Sequence, residues 1–156
     1  MKLKILVGTV TNTAEYVAQA IGMDCADLVE SIEVQMMDGL DISVFDEDAL
    51  FLICTSTYGA GDVPDNARAL YDSLDQTPRF LGHVRYGVIA LGDMGSHAAT
   101  FCFAGKLFDE RLQGLGAKRL GEIWCHDASD GSVAETEGAA WCRDWLALAT
   151  EAAGAA

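Results

Sequence analysis

Basic residues are scarce in this chain of 156 residues, and they are absent from a long stretch of it. Between Ile5 and Ala67 there are twelve acidic side chains and no lysine or arginine, within a formal net charge of −14. Nucleic acids and anionic membrane surfaces bind through basic patches, so neither is expected as a partner. No apolar run approaches the ~20 residues that cross a bilayer. The opening MKLKILVG is too brief for an export signal and passes after Gly8 into Thr9-Val10-Thr11-Asn12-Thr13, so a cytoplasmic protein is expected. There is no C-x-x-C pair. The five cysteines, Cys25, Cys54, Cys102, Cys125 and Cys142, read as free thiols, and Cys102, Cys125, His97 and His126 lack the spacing of a zinc site. No Gly-Lys-Ser/Thr follows a glycine-rich loop and no G-x-G-x-x-G is present, which excludes the nucleotide P-loop and the dinucleotide fingerprint. His97 and His126 have no serine or cysteine partner in a recognisable arrangement, which argues against a hydrolase.

About half the chain is apolar, enough for one sizeable core, and a single domain over residues 1–156 is expected. Repeats, low-complexity stretches and linkers are missing; helical and strand patterns alternate instead. Strands are expected at 3–7, 32–36, 49–55, 84–91 and 120–126. The run ALFLICT at 49–55 has the continuous apolarity of a strand buried on both faces. Helices are expected around Ala14, Val17, Ala18 and Ile21; around Ala69, Leu70 and Leu74, capped by Asp65; over 103–115, ended by Gly116; and over 139–149, with Trp141, Trp145 and Leu148 turned inward. This alternation predicts an α/β fold with a five-stranded parallel sheet of order 2-1-3-4-5 and helices on both faces. Such sheets bind ligands beyond the carboxyl ends of the strands, where the order reverses. Three loops fall there.

The first, Thr9-Val10-Thr11-Asn12-Thr13-Ala14, opens a helix and offers amides and hydroxyls. It reads either as a phosphate cradle or as a threonine-rich cap. The second runs from Ser56 to Asn66. Its glycines allow close backbone approach, and Tyr58 can stack on a flat ring or be an ordinary loop aromatic. The third, from Gly92 to Cys102, could hydrogen-bond the polar edge of a flat ligand. The acidic half of the chain either solvates the surface or steers a basic partner.

At these loops the chain resembles short-chain flavodoxins of the YqcA and MioC type, and more distantly the FMN domains of reductases. The resemblance is carried by Ser56-Thr57-Tyr58-Gly59 with Gly61-Asp62 and Pro64-Asp65-Asn66, by Tyr86-Gly87-Val88-Ile89-Ala90-Leu91-Gly92-Asp93, by Phe101-Cys102 with Lys106, and by Asp127-Ala128-Ser129. It implies a flavodoxin-like three-layer sandwich and FMN as cofactor. Thr9, Val10, Thr11, Asn12, Thr13 and Ala14 would hold the phosphate. Ser56, Thr57, Tyr58, Gly59, Ala60 and Gly61 would lie beside the isoalloxazine, with Tyr58 stacked on it and Gly59 free to turn a carbonyl toward its N5. Leu91, Gly92, Asp93, Phe101 and Cys102 would lie on the other side.

Two departures stand out. Asn12 occupies a position where the family usually has glycine. Between Asp93 and Phe101 the chain is about two residues longer than the family pattern and lacks its tyrosine, leaving His97 as the planar side chain. The resemblance implies a one-electron carrier, not an enzyme, which shuttles electrons from a basic reductase to an acceptor protein. Asp62, Asp65 and Asp93 are expected to oppose the second electron. A flavin-free binding module on this fold and a small FMN-dependent quinone or nicotinamide reductase are the alternatives.

Overall fold

The computed structural model describes residues 1–10, 12–58, 61–92, 102–128 and 131–154. Strands β1 (Lys2–Gly8), β2 (Ser31–Met36), β3 (Leu50–Ser56) and β4 (Arg85–Gly92) alternate with helices α1 (Thr13–Asp24) and α2 (Arg68–Gln76). Helix α3 (Phe103–Gly114), the short strands β5 (Lys118–Arg119) and β6 (Trp124–Asp127), and helix α4 (Ala134–Gly154) complete the chain. Among the described residues the strands pair in parallel, in the order β2-β1-β3-β4-β5, with β6 also on β4. The expected order 2-1-3-4-5 is therefore the observed one.

The strands' period of two divides their side chains between two cores. Leu6, Phe51, Ile53, Tyr86, Val88 and Ala90 point to one face, where they meet Leu70, Phe108 and Leu112 of α2 and α3. Leu3, Ile5, Val7, Leu52, Cys54 and Ile89 point to the other, against Val17 and Ile21 of α1 and Trp145 and Leu146 of α4. β3 is buried at every position, which explains its uninterrupted apolar sequence. Gly105 lets α3 sit close on the sheet: a Cβ there would lie 2.5 Å from that of Ala90.

Four expectations need correction. The fifth strand is two pieces rather than one over 120–126. Gly121 turns the chain with φ +71, and Arg119 Nε donates to the Gly121 carbonyl at 2.9 Å. Asp65 does not cap α2; it begins a 3-10 turn, Asp65–Ala67, that runs into the helix without a side-chain cap. Ala69 faces solvent, and the buried positions of α2 are Leu70, Tyr71, Ser73 and Leu74. Leu148 is exposed, because the longer helix α4 turns Leu146 and Ala149 inward instead. The tryptophans are core, as expected: Trp141 stacks between Trp124 and Trp145, with ring centroids 6.3 and 5.8 Å away. No helix among the described residues is long and apolar enough to cross a membrane.

Candidate functional site

β1, β3 and β4 end at one edge of the sheet, where the described parts of the loops after β1 and β3 lie beside Leu91 and Gly92. Gly8 ends β1 where there is no room for a side chain: a Cβ would lie 2.8 Å from Thr55 Oγ1 and 3.1 Å from the Ala67 methyl. Beyond it, Asn12 has φ 66, a left-handed backbone that asparagine tolerates better than most residues. That turn opens α1, and the Asn12 side chain makes no capping bond to it. The amides of the first helical turn thus lack a side-chain cap and sit at the positive end of the helix dipole.

Asn66 fastens this loop. Its Oδ1 accepts from the Thr9 amide at 2.9 Å, and its Nδ2 donates to the Val7 carbonyl at 3.1 Å and to Asp38 at 3.2 Å. The Thr9 hydroxyl oxygen is buried with no hydrogen-bond partner among the described residues. A buried orphan hydroxyl costs stability unless something fills its need.

The second loop folds back on itself. Tyr58 N donates to Asp62 O at 2.7 Å and Asp62 N to Tyr58 O at 2.9 Å, with Gly61 at φ +132 in the turn. Tyr58 is left half-exposed above the sheet edge. Thr57 Oγ1 accepts from the Ala104 amide at 3.3 Å, tying this loop to the start of α3. Asp62 is not a bare charge: Arg68 contacts it at 2.6 Å and the Val63 amide at 2.8 Å. Desolvation pushes its carboxyl up, but the Val63 and Arg68 contacts win and hold it below the usual range. The expected repulsion at the ring from Asp62 is therefore reduced.

A cavity of about 570 Å³ opens between these loops. Of the expected residues, Val10, Thr13, Ser56, Thr57, Leu91 and Gly92 line it. Thr9, Asn12, Tyr58 and Gly61 lie in the adjoining loops, while the Ala14 methyl and the Cys102 side chain are buried in the two cores. Thr11, Gly59, Ala60, Asp93, His97 and Phe101 lie outside the described residues. The sequence reading missed the opposite wall, His126, Ala128 and Ser132 to Glu135. His126 Nε2 and Ser132 Oγ lie 2.8 Å apart. The signal was available: the strand beside β4 ends at the same carboxyl edge, so the segment after Asp127 must border the same cleft. Among the described residues no cluster of His, Cys, Asp and Glu could hold a metal ion.

The geometry fits FMN. A volume within the usual ligand range, neutral donors at a helix N-terminus and an orphan hydroxyl suit a phosphate held without cations, and the apolar walls suit a flat ring. The family model for flavodoxin matches residues 5–141. The chain belongs to the flavodoxin family. It is 42% identical over 102 residues to flavodoxin YqcA of Escherichia coli, covering 65% of this chain and 67% of that one. It is 35% identical to flavodoxin YqcA of Pectobacterium carotovorum over 94% of this chain and 96% of that one. A cysteine-to-alanine variant of a Pseudomonas aeruginosa flavodoxin superposes with a TM-score of 0.78 at 31% identity, covering 95% of this chain and 98% of that one. Flavodoxins bind FMN and transfer electrons rather than converting substrates, and this chain is an FMN-binding electron carrier of that kind.

Proposed function

We propose that residues 1–156 act as one cytoplasmic FMN domain, with the phosphate at the Thr9–Ala14 loop and the ring between the Ser56–Gly61 loop and the segment after β4. The observation that carries this placement is the buried, unpartnered Thr9 hydroxyl beside an uncapped helix N-terminus. Bound there, FMN supplies the electron-transfer chemistry. The chain's own residues bind and orient it. Thr9, Thr13 and the first amides of α1 hold the phosphate. Asn66 keeps the Thr9 amide engaged, so the loop is set before binding. Thr57 fixes the second loop to α3, and Tyr58 covers the ring from the solvent side.

The partner is a basic reductase that approaches the carboxyl edge, with an acceptor protein using the same face in turn. Charge supports this orientation. Lys2, Arg85 and Lys118 stand at the amino ends of β1, β4 and β5, away from the site. Asp38 and Asp65 stand in the loops on the site's side, where Asp62 is paired with Arg68. A basic surface is steered to that edge.

Titration of the purified protein with FMN, followed by visible absorption, tests the placement. A perturbed flavin band and stoichiometric binding that weakens in Thr9→Val are expected. Unchanged affinity in that variant would remove the phosphate from this loop.

A further inference from the structure

Two of the free cysteines meet at the other side of the same sheet edge. Ala90 of β4 is in register with Cys125 of β6, so both side chains point to the α3 face. Cys102, at the N-cap of α3, is 1% exposed, and its Sγ donates to the Ala90 carbonyl at 3.3 Å. That bond sets Cys102 against β4 at Ala90, the residue whose neighbour on β6 is Cys125. Cys125 faces solvent. Lys106 stands one helical turn beyond Cys102, on the same face of α3.

We propose that Cys125 and Cys102 form a peroxide-responsive thiol pair, in which Cys125 attacks the oxidant and Cys102 resolves the product to an intramolecular disulfide. The Cys125 thiolate attacks one peroxide oxygen. An S–O bond forms, the O–O bond breaks, and the sulfur loses two electrons to give a sulfenic acid, while hydroxide leaves and is protonated to water. The Cys102 sulfur then attacks Cys125. The S–S bond forms, the S–O bond breaks, and the Cys102 proton leaves with the hydroxyl as a second water. Two thiols and one hydrogen peroxide thus become one disulfide and two waters.

The surroundings favour these roles. The Cys102 thiol, whose one proton turns from the Ala90 carbonyl to the Cys125 sulfur, lowers the Cys125 thiol to about 7, against the opposing effect of burial and with help from the Lys106 ammonium. The charged and titratable groups that bear on Cys125 among the described residues are Cys102 and Lys106. Cys102 is shifted the other way, chiefly by its neighbour and by burial, so it stays protonated until the second step. An exposed, low-pKa thiol beside a resolving cysteine is the arrangement that oxidants select. The other close pair differs. Cys25, at the C-cap of α1, and Cys142, on α4, are fully buried, and desolvation raises both thiols.

The test treats the reduced, FMN-loaded protein with hydrogen peroxide and reads intact mass and peptide maps. A peptide joining Cys102 to Cys125 is expected, with Cys25, Cys54 and Cys142 unmodified. In Cys102→Ser, dimedone should trap a sulfenic acid on Cys125; in Cys125→Ser, neither product should form. Iodoacetamide should alkylate Cys125 in the native wild-type protein roughly tenfold faster at pH 7 than an ordinary thiol. A map without the Cys102–Cys125 link, or alkylation of Cys125 at the ordinary rate, would overturn the proposal. Both readouts are masses of the chain, so their failure would leave the flavin placement untouched.

Discussion

Thr9 is where a single atom carries the most information. Its hydroxyl is buried without a partner, so Thr9→Val removes an unmet need from the free protein and a donor from the phosphate. The two effects have opposite signs. The melting temperature of the FMN-free protein should hold or rise, while FMN dissociation should increase about tenfold, the ~1.5 kcal/mol of a hydrogen bond to a charged group. Calorimetry on both forms checks this. Asn12 is the second such position. Asn12→Gly should be neutral and Asn12→Ala should cost about 1–2 kcal/mol, since alanine carries the full penalty of a left-handed backbone. Urea denaturation of the two variants separates them. The left-handed turn at Asn12 was legible only through the resemblance, which implies glycine there, a residue whose backbone asparagine can imitate. The fastening role of Asn66 was not, because a contact spanning 57 positions leaves no local pattern.

At the scale of elements, a polar network holds α3 to the far side of the sheet. Tyr86 of β4 donates to Asp109 Oδ1 at 2.6 Å, and Arg119 of β5 donates to Oδ2 of the same carboxylate at 2.6 Å. Gln113 adds bonds of 3.1 and 3.0 Å. Asp109→Ala should therefore cost about 2 kcal/mol, because it leaves the buried Tyr86 phenol without its carboxylate acceptor and takes one of two partners from the partly exposed Arg119. Tyr86→Phe should cost about 1 kcal/mol. Chemical denaturation of both variants measures the difference.

A second cluster ties the start of β1 to the turn before β3. Lys2 and Lys4 each lie 3.1 Å from Glu47. Hydrogen bonds from Lys2 and then Lys4 hold the Glu47 carboxyl below its ordinary 4.5. A lowered carboxylate stabilises the fold above that value, and the contribution is lost as pH falls through the lower folded one. The acid limb of a thermal stability profile should flatten in Glu47→Gln, and an unchanged limb would place the acid sensitivity elsewhere. Neither network was visible in the sequence, since periodicity reports which face is apolar and says nothing about which polar groups meet across it. The strands and helices themselves were legible for that same reason, apart from the last strand, where Gly121 interrupts an otherwise strand-like run.

For the molecule as a whole, the proposed docking of a basic reductase predicts a dependence on salt. Electron transfer from a basic reductase should slow as salt is raised, because the attraction between the acidic edge and the partner is screened over about 10 Å at 0.1 M. Stopped-flow reduction across a range of ionic strengths checks this, and a flat profile would assign the acidic surface to solvation alone. The cavity was legible at this scale as a cleft at the carboxyl ends of β1, β3 and β4. Its fourth wall was not, because the switch-point rule points to the first reversal and not to the strand that flanks β4.

The break between β5 and β6 also bears on how copies of this chain treat one another. A sheet edge with a long row of free amides and carbonyls invites another chain to add a strand. Here that edge consists of a two-residue piece and a four-residue piece on either side of the bend at Gly121. The opposite edge, β2, carries Glu33 at its centre. Both borders are thereby blunted against strand addition from a second copy of the chain.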